Sequence, residues 1–118
     1  MKKVFLIILL LMFASTAYAA QWMHSSGTKA DDALIFTGAG NLYGFVMALD
    51  GAVNCTIDIY DGLSATGTQL IPQSIITTAA TKRVVKFYFD PPIHFSKGCY
   101  VDIDPGLGTV GYVIYYSE

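Results

Sequence analysis

Charge is scarce in this sequence. Of its 118 residues only 14% are Asp, Glu, Lys or Arg, against about a quarter in an ordinary soluble domain. With 53% hydrophobic residues, a long disordered or solvated chain is excluded. The formal net charge of −2 provides no basic surface to follow phosphates, so nucleic acid is not an expected partner. Histidine is limited to His24 and His94, and cysteine to Cys55 and Cys99. No G-x-S-x-G turn or comparable nucleophile motif is present. A Ser-His-Asp or Cys-His centre needs a base beside a nucleophile and a third group to hold it, and nothing in the chain supplies that set. The EF-hand spacing is missing, and so is the second Cys or His pair that zinc requires. No enzyme activity, metal or cofactor is therefore expected. The acid pairs Asp31-Asp32, Asp58 with Asp61, and Asp102 with Asp104 are read as loop or strand-end residues, with Asp58 and Asp102 solvated. Asp58 and Asp102 are expected to point away from the core.

Long apolar runs are absent apart from one. Val4 to Phe13 is an uncharged stretch of ten residues behind Lys2 and Lys3, and Ala17-Tyr18-Ala19 follows it. A spanning helix needs about 20 apolar residues. A basic start, a short apolar middle and an A-x-A site form the pattern of a cleaved signal peptide. Residues 1–19 are assigned to it, which implies a secreted or periplasmic protein with no membrane attachment after cleavage. Removing them leaves five basic residues against nine acids, a formal charge of −4.

Helical periodicity is lacking too; period-two alternation takes its place. Val53, Cys55, Ile57 and Ile59 alternate with Asn54, Thr56, Asp58 and Tyr60. Val85, Phe87 and Phe89 alternate up to Asp90-Pro91-Pro92, where a strand is expected to stop because proline has no ladder donor. Phe87 and Phe89 are expected in the core. A short edge piece follows over Ile93 to Ser96. Cys99, Val101 and Ile103 form one apolar face, and Val110, Tyr112, Ile114 and Tyr116 another. Ala33 to Thr37 and Leu42 to Leu49 complete the longer runs, with shorter pieces around Pro72. Gly38 to Gly44 is a turn between strands, since no helix follows to hold a phosphate. The fold class is all-β: a single antiparallel β-sandwich of seven to eight strands, jelly-roll or immunoglobulin-like. It occupies residues 31–118, behind a flexible or strand-exchanging arm over residues 20–30.

Cys55 and Cys99 both fall on apolar strand faces. In an oxidising compartment an even pair suggests a disulfide, which would be worth about 4 kcal/mol for a loop of about 45 residues. Two buried free thiols are the competing reading. Tyr60, Tyr88, Tyr100 and Tyr115 lie opposite the apolar faces of their strands. Outward aromatics can anchor a protein interface or stack on sugar rings.

Two stretches carry a resemblance. One is Ile59-Tyr60-Asp61-Gly62-Leu63-Ser64-Ala65-Thr66-Gly67-Thr68, followed by Leu70-Ile71-Pro72. The other is Phe95-Ser96-Lys97-Gly98-Cys99-Tyr100-Val101-Asp102-Ile103, followed by Gly108-Thr109-Val110 and the run to Tyr115-Tyr116. Together they resemble small β-sandwich proteins of tailed-phage and related bacterial genomes, thought to be virion-associated. The resemblance covers about residues 33–116 and brings no catalytic residues. A signal peptide departs from that pattern. The expected function is a non-enzymatic structural or adhesive module, exported, packing on copies of itself or on a larger assembly. The alternative is a secreted carbohydrate-binding module that uses the outward tyrosines.

Overall fold

The computed structural model describes residues 23–51, 54–71, 74–76 and 83–118. The signal segment 1–19 and the first residues of the expected arm lie outside this set. Nine strands are present and, among the described residues, no helix. They are β1 (His24–Ser25), β2 (Ala33–Thr37), β3 (Gly40–Asp50), β4 (Cys55–Asp61), β5 (Thr68–Gln69), β6 (Ser74–Ile76), β7 (Arg83–Phe95), β8 (Gly98–Asp104) and β9 (Thr109–Ser117). Two antiparallel sheets form. One runs β1-β9-β3-β7; the other runs β2-β8-β4, with β5 and β6 sharing the free side of β4. Each sheet is thus four positions wide, which makes the all-β sandwich expected from the alternation.

The alternation is what builds the core. Phe45, Met47 and Leu49 of β3 meet Cys55, Ile57 and Ile59 of β4, Val101 and Ile103 of β8, and Val110, Tyr112 and Ile114 of β9 in one buried cluster. Two ties cross between the sheets. The Tyr112 hydroxyl donates to the Asp31 carbonyl at 2.6 Å, and its burial raises its pKa. The Phe36 ring lies 5.4 Å from Tyr116 and 6.1 Å from Phe95. The contacts with Tyr112 and Tyr116 place β2 under β9; of β7 only its last residue, Phe95, reaches Phe36, at the corner into β8, and β7 is the far edge of β9's sheet.

Four expectations are corrected. The strand from Val85 does not end at the prolines. β7 runs from Arg83 to Phe95, and Ile93 to Phe95 is its second half rather than a separate piece. Gly44 pairs with Tyr88 and Leu42 with Ile93, so Phe89 to Pro92 bulge out of the ladder between them. A proline is tolerated there because β7 is an edge strand and one side of it needs no donor. For the same reason Phe87 is not core. It is 38% exposed at the margin of the sandwich, with its ring 4.9 Å from Phe45. Phe89 is partly buried and packs on the core, as expected.

The third correction concerns the cysteines. Both are buried free thiols. Asp61 pairs with Cys99 on the β4–β8 ladder, and Cys55 lies six residues further along β4. At about 3.3 Å per residue that separates them by about 20 Å, where a disulfide needs Cα atoms within about 7 Å. Burial, with Asp61 nearby, pushes the Cys99 thiol up to about 12, and burial likewise raises Cys55. Alternation placed both cysteines inside but could not say that they sit at opposite ends of the ladder.

The fourth is the arm. From His24 to Lys29 it lies along β9 instead of hanging free. His24 pairs with Tyr116 and Ser25 with Tyr115. Ser26 exchanges bonds with Ile114 through its backbone N–H and its Oγ, both at 2.9 Å. Lys29 and Tyr112 exchange two backbone bonds at 2.8 Å. Gly27, at φ +68°, takes a left-handed conformation open to glycine, between the Tyr115–Ser25 pair and the Lys29 bridge.

Candidate functional site

The stretches that begin at Ile59 and at Phe95 meet in space, at a corner where the chain changes sheets. β7 and β8 belong to different sheets and are joined by Ser96-Lys97 alone. Asp61, the last residue of β4, closes this corner. Its Oδ2 accepts from the Ser96 N–H and Oγ at 2.9 Å each. Its Oδ1 accepts from the Lys97 N–H at 2.7 Å and the Gly98 N–H at 3.3 Å. Burial alone would raise this carboxyl, but the bonds from Ser96, Lys97 and Gly98 outweigh it and hold it at about 2. The neighbouring crossover from β2 to β3 is tied in by the Gly38 N–H, which donates to the Lys97 carbonyl at 3.0 Å. The Gly62–Gly67 loop then turns back into β5, with Ser64 and Thr66 hydroxyls 2.8 Å apart. The corner is a carboxylate held by convergent N–H groups, a structural clamp.

The outward tyrosines form two clusters, not one. On the sheet carrying β7, Gly44 is flanked by Tyr88 on β7 and Tyr115 on β9. A bulge at Tyr43 turns that ring to the same outer face. With Met23 and Phe89 these rings line an apolar groove of about 470 Å³. Tyr43 and Met23 were not singled out from the sequence. The signal available was the break in alternation at Tyr43-Gly44, where a bulge adds one residue.

On the opposite sheet Tyr60 and Tyr100 stand directly across from each other, both half-buried. One row further along, Asp58 faces Asp102, and the Asp32 side chain hydrogen-bonds to Asp102. Asp58 is not the solvated residue expected. It does lie on the outer face, but Gln69 of β5 folds over it and donates from Nε2 at 2.9 Å, which leaves it only 6% exposed. Asp32 accepts from the Ile103 N–H at 2.8 Å. Desolvation, then the charges of Asp32 and Asp58, raise the pKa of Asp102. A carboxyl raised in the folded state contributes stability at low pH that is lost as pH rises through its folded value. Asp102→Asn keeps the shape and removes a like-charge cross-strand pair. It is therefore expected to hold or raise stability at pH 7, by up to about 1 kcal/mol, measured as the urea midpoint. A clear loss at pH 7 would mean that the charged form is favoured there.

The histidines stay apart. His24 Nε2 is 3.9 Å from the Glu118 carboxylate on an exposed edge, and His94 is exposed on β7. Among the described residues no three His, Cys, Asp or Glu side chains converge on a point where a metal ion could be held. No family model, no curated protein and no solved structure matches this chain.

Proposed function

We propose that this chain is a non-enzymatic β-sandwich module, exported by its N-terminal segment, that works by association with copies of itself in a larger structural or adhesive assembly. The observation that carries this reading is that, among the described residues, three of the seven exposed large apolar side chains lie on one edge strand. Val84 is 60% exposed, Tyr88 68% and Phe87 38%, all on edge strand β7, with exposed Met23 beside Tyr88 in the adjoining groove. Monomers rarely leave an apolar patch on a long open edge, because such an edge templates pairing with another chain. The strand order supports a jelly-roll reading of the sandwich: consecutive strands switch sheets at nearly every connection, whereas immunoglobulin-like folds keep hairpins within one sheet. The virion-associated resemblance is a specific form of the same assembly reading. Light scattering on a sizing column, over a hundredfold range of concentration, tests it. A mass above the monomer that grows with concentration is expected.

A second reading is favoured by the paired tyrosines on both outer faces. Tyr60 beside Tyr100, or Tyr88 and Tyr115 on either side of Gly44, offers a platform of the kind on which a sugar ring stacks. A strict monomer retained on polysaccharide, with retention weakened by Tyr100→Ala or Tyr115→Ala, would replace the assembly reading with this one.

A further inference from the structure

Resting on the assembly reading, we infer that copies join head to tail, with edge strand β7 of one copy docking on edge strand β2 of the next. Among the described residues β7 pairs only with β3, and β2 only with β8. Each therefore presents a row of unpaired backbone donors and acceptors, which can accept a further strand. Strands β5 and β6 span two or three residues each and are too short to template a ladder, and the His24–Lys29 edge along β9 is broken at Gly27, whose φ is +68°. The Arg83–Tyr88 half of β7 and strand β2 lie on opposite sides of the sandwich, because β2 sits under β9 while β7 is the far edge of β9's own sheet and meets β2 only through Phe95 at its other end.

Their chemistry is complementary. Lys82, Arg83 and Lys86 are three of the five basic residues that follow Ala19. Arg83 and Lys86 are exposed on β7 next to Val84 and Tyr88. Exposed Asp31 and Asp32 immediately precede β2, the latter with one oxygen on the Ile103 N–H, and Leu34 on β2 is 44% exposed. Pairing β7 with β2 sets basic against acidic residues and brings the exposed apolar residues of both edges together. The symmetric alternatives do the opposite. A β7–β7 ladder brings together two edges that both carry Arg83 and Lys86, and a β2–β2 ladder two edges that both follow Asp31 and Asp32; like charges across a ladder are destabilising. A contact between two different surfaces leaves one of each unused at the ends, so it builds a ring or a filament rather than a closed dimer.

The test uses two variants of the purified protein, each with its fold checked by far-UV circular dichroism. Arg83→Ser/Lys86→Ser/Tyr88→Ser disables the β7 surface, and Asp31→Ser/Leu34→Ser disables the β2 surface. The unmodified protein is expected to form species larger than a dimer that shrink in high salt. Each variant alone is expected to associate at least tenfold more weakly. Their equimolar mixture is expected to form a one-to-one dimer that grows no further, because one intact β7 meets one intact β2. Should one of the triple or double variants fail to fold, the single changes Lys86→Ser and Asp31→Ser take their place. A β2 variant that associates like the unmodified protein, or a closed dimer as its largest species, overturns the head-to-tail contact and leaves the assembly reading standing. An unmodified protein that stays monomeric at every concentration overturns the assembly reading itself.

Discussion

Gly44→Ala is expected to lower stability by about 2–3 kcal/mol and the melting temperature by roughly 10–20 °C. Gly44 sits in the middle of β3 and pairs with β7 on one side and β9 on the other. A Cβ built there runs into the Phe87 carbonyl oxygen and comes within 3.0 Å of the Tyr88 Cα. Both are backbone atoms, so no side chain can swing aside. Either β7 moves away from β3 or the Gly44–Tyr88 pair opens. Glycine within a strand commonly marks such a close approach of backbones. Gly111→Ala is the control, because its Cβ would meet only the Thr28 methyl carbon at 3.6 Å and the Lys29 carbonyl at 3.9 Å. That change is expected to shift the melting temperature by no more than a few degrees. Equal melting of the two variants would show that β7 does not pack on β3 as described. A large drop would also bear on assembly, since the displaced strand carries Val84, Phe87 and Tyr88.

The strand faces were legible because alternation is a local property. Ile57, Ile59, Val101, Ile103, Tyr112 and Ile114 could each be placed inside from their own neighbours, and all are buried. What failed depended on distant chain. That Cys55 and Cys99 share a ladder six positions apart is a matter of register, and register is set by which strands pair. Phe87 was misplaced because its inward direction was read correctly but its position on an edge was not. Asp58 was misplaced because its cover comes from Gln69, across a hairpin that periodicity does not see. The prolines of β7 were read with the rule for a central strand, and β7 is an edge. The tyrosines were grouped by orientation alone. Only the sheet order separates Tyr60 and Tyr100 from Tyr88 and Tyr115, and puts the two pairs on opposite faces. Asp61 reads as a strand-end acid where a loop starts, yet its carboxylate joins the stretch after Ile59 to the stretch after Phe95. Those two stretches therefore form one corner between the sheets, and that closure depends on distant chain.

Asp61→Asn is expected to remove about 1–2 kcal/mol at pH 7, the scale of charge-assisted hydrogen bonds to a partly exposed group. Three backbone N–H groups and one hydroxyl converge on this carboxylate. An amide offers one acceptor oxygen and turns an NH₂ toward donors. The corner has little room to adjust: a Cβ on Gly98 would lie 2.8 Å from the Phe36 carbonyl oxygen and 2.9 Å from that of Gly62. The pH dependence gives a sharper test than the loss itself. Asp61 is held at about 2 when folded, below its ordinary value of 3.8. A carboxyl depressed in the folded state contributes stability that is fully present above its unfolded pKa and is lost as pH falls through its folded pKa. The urea midpoint of the unmodified protein should therefore fall between about pH 4 and pH 2. Asp61→Asn has no such group to protonate, so the two curves should converge near pH 2. Asp102 acts in the opposite sense and above this window, since its pKa is raised. Repeating the comparison in the Asp102→Asn background isolates the Asp61 contribution. A gap between the curves that stays constant down to pH 2 would mean that the clamp depends on the shape of the side chain at position 61 and not on its charge.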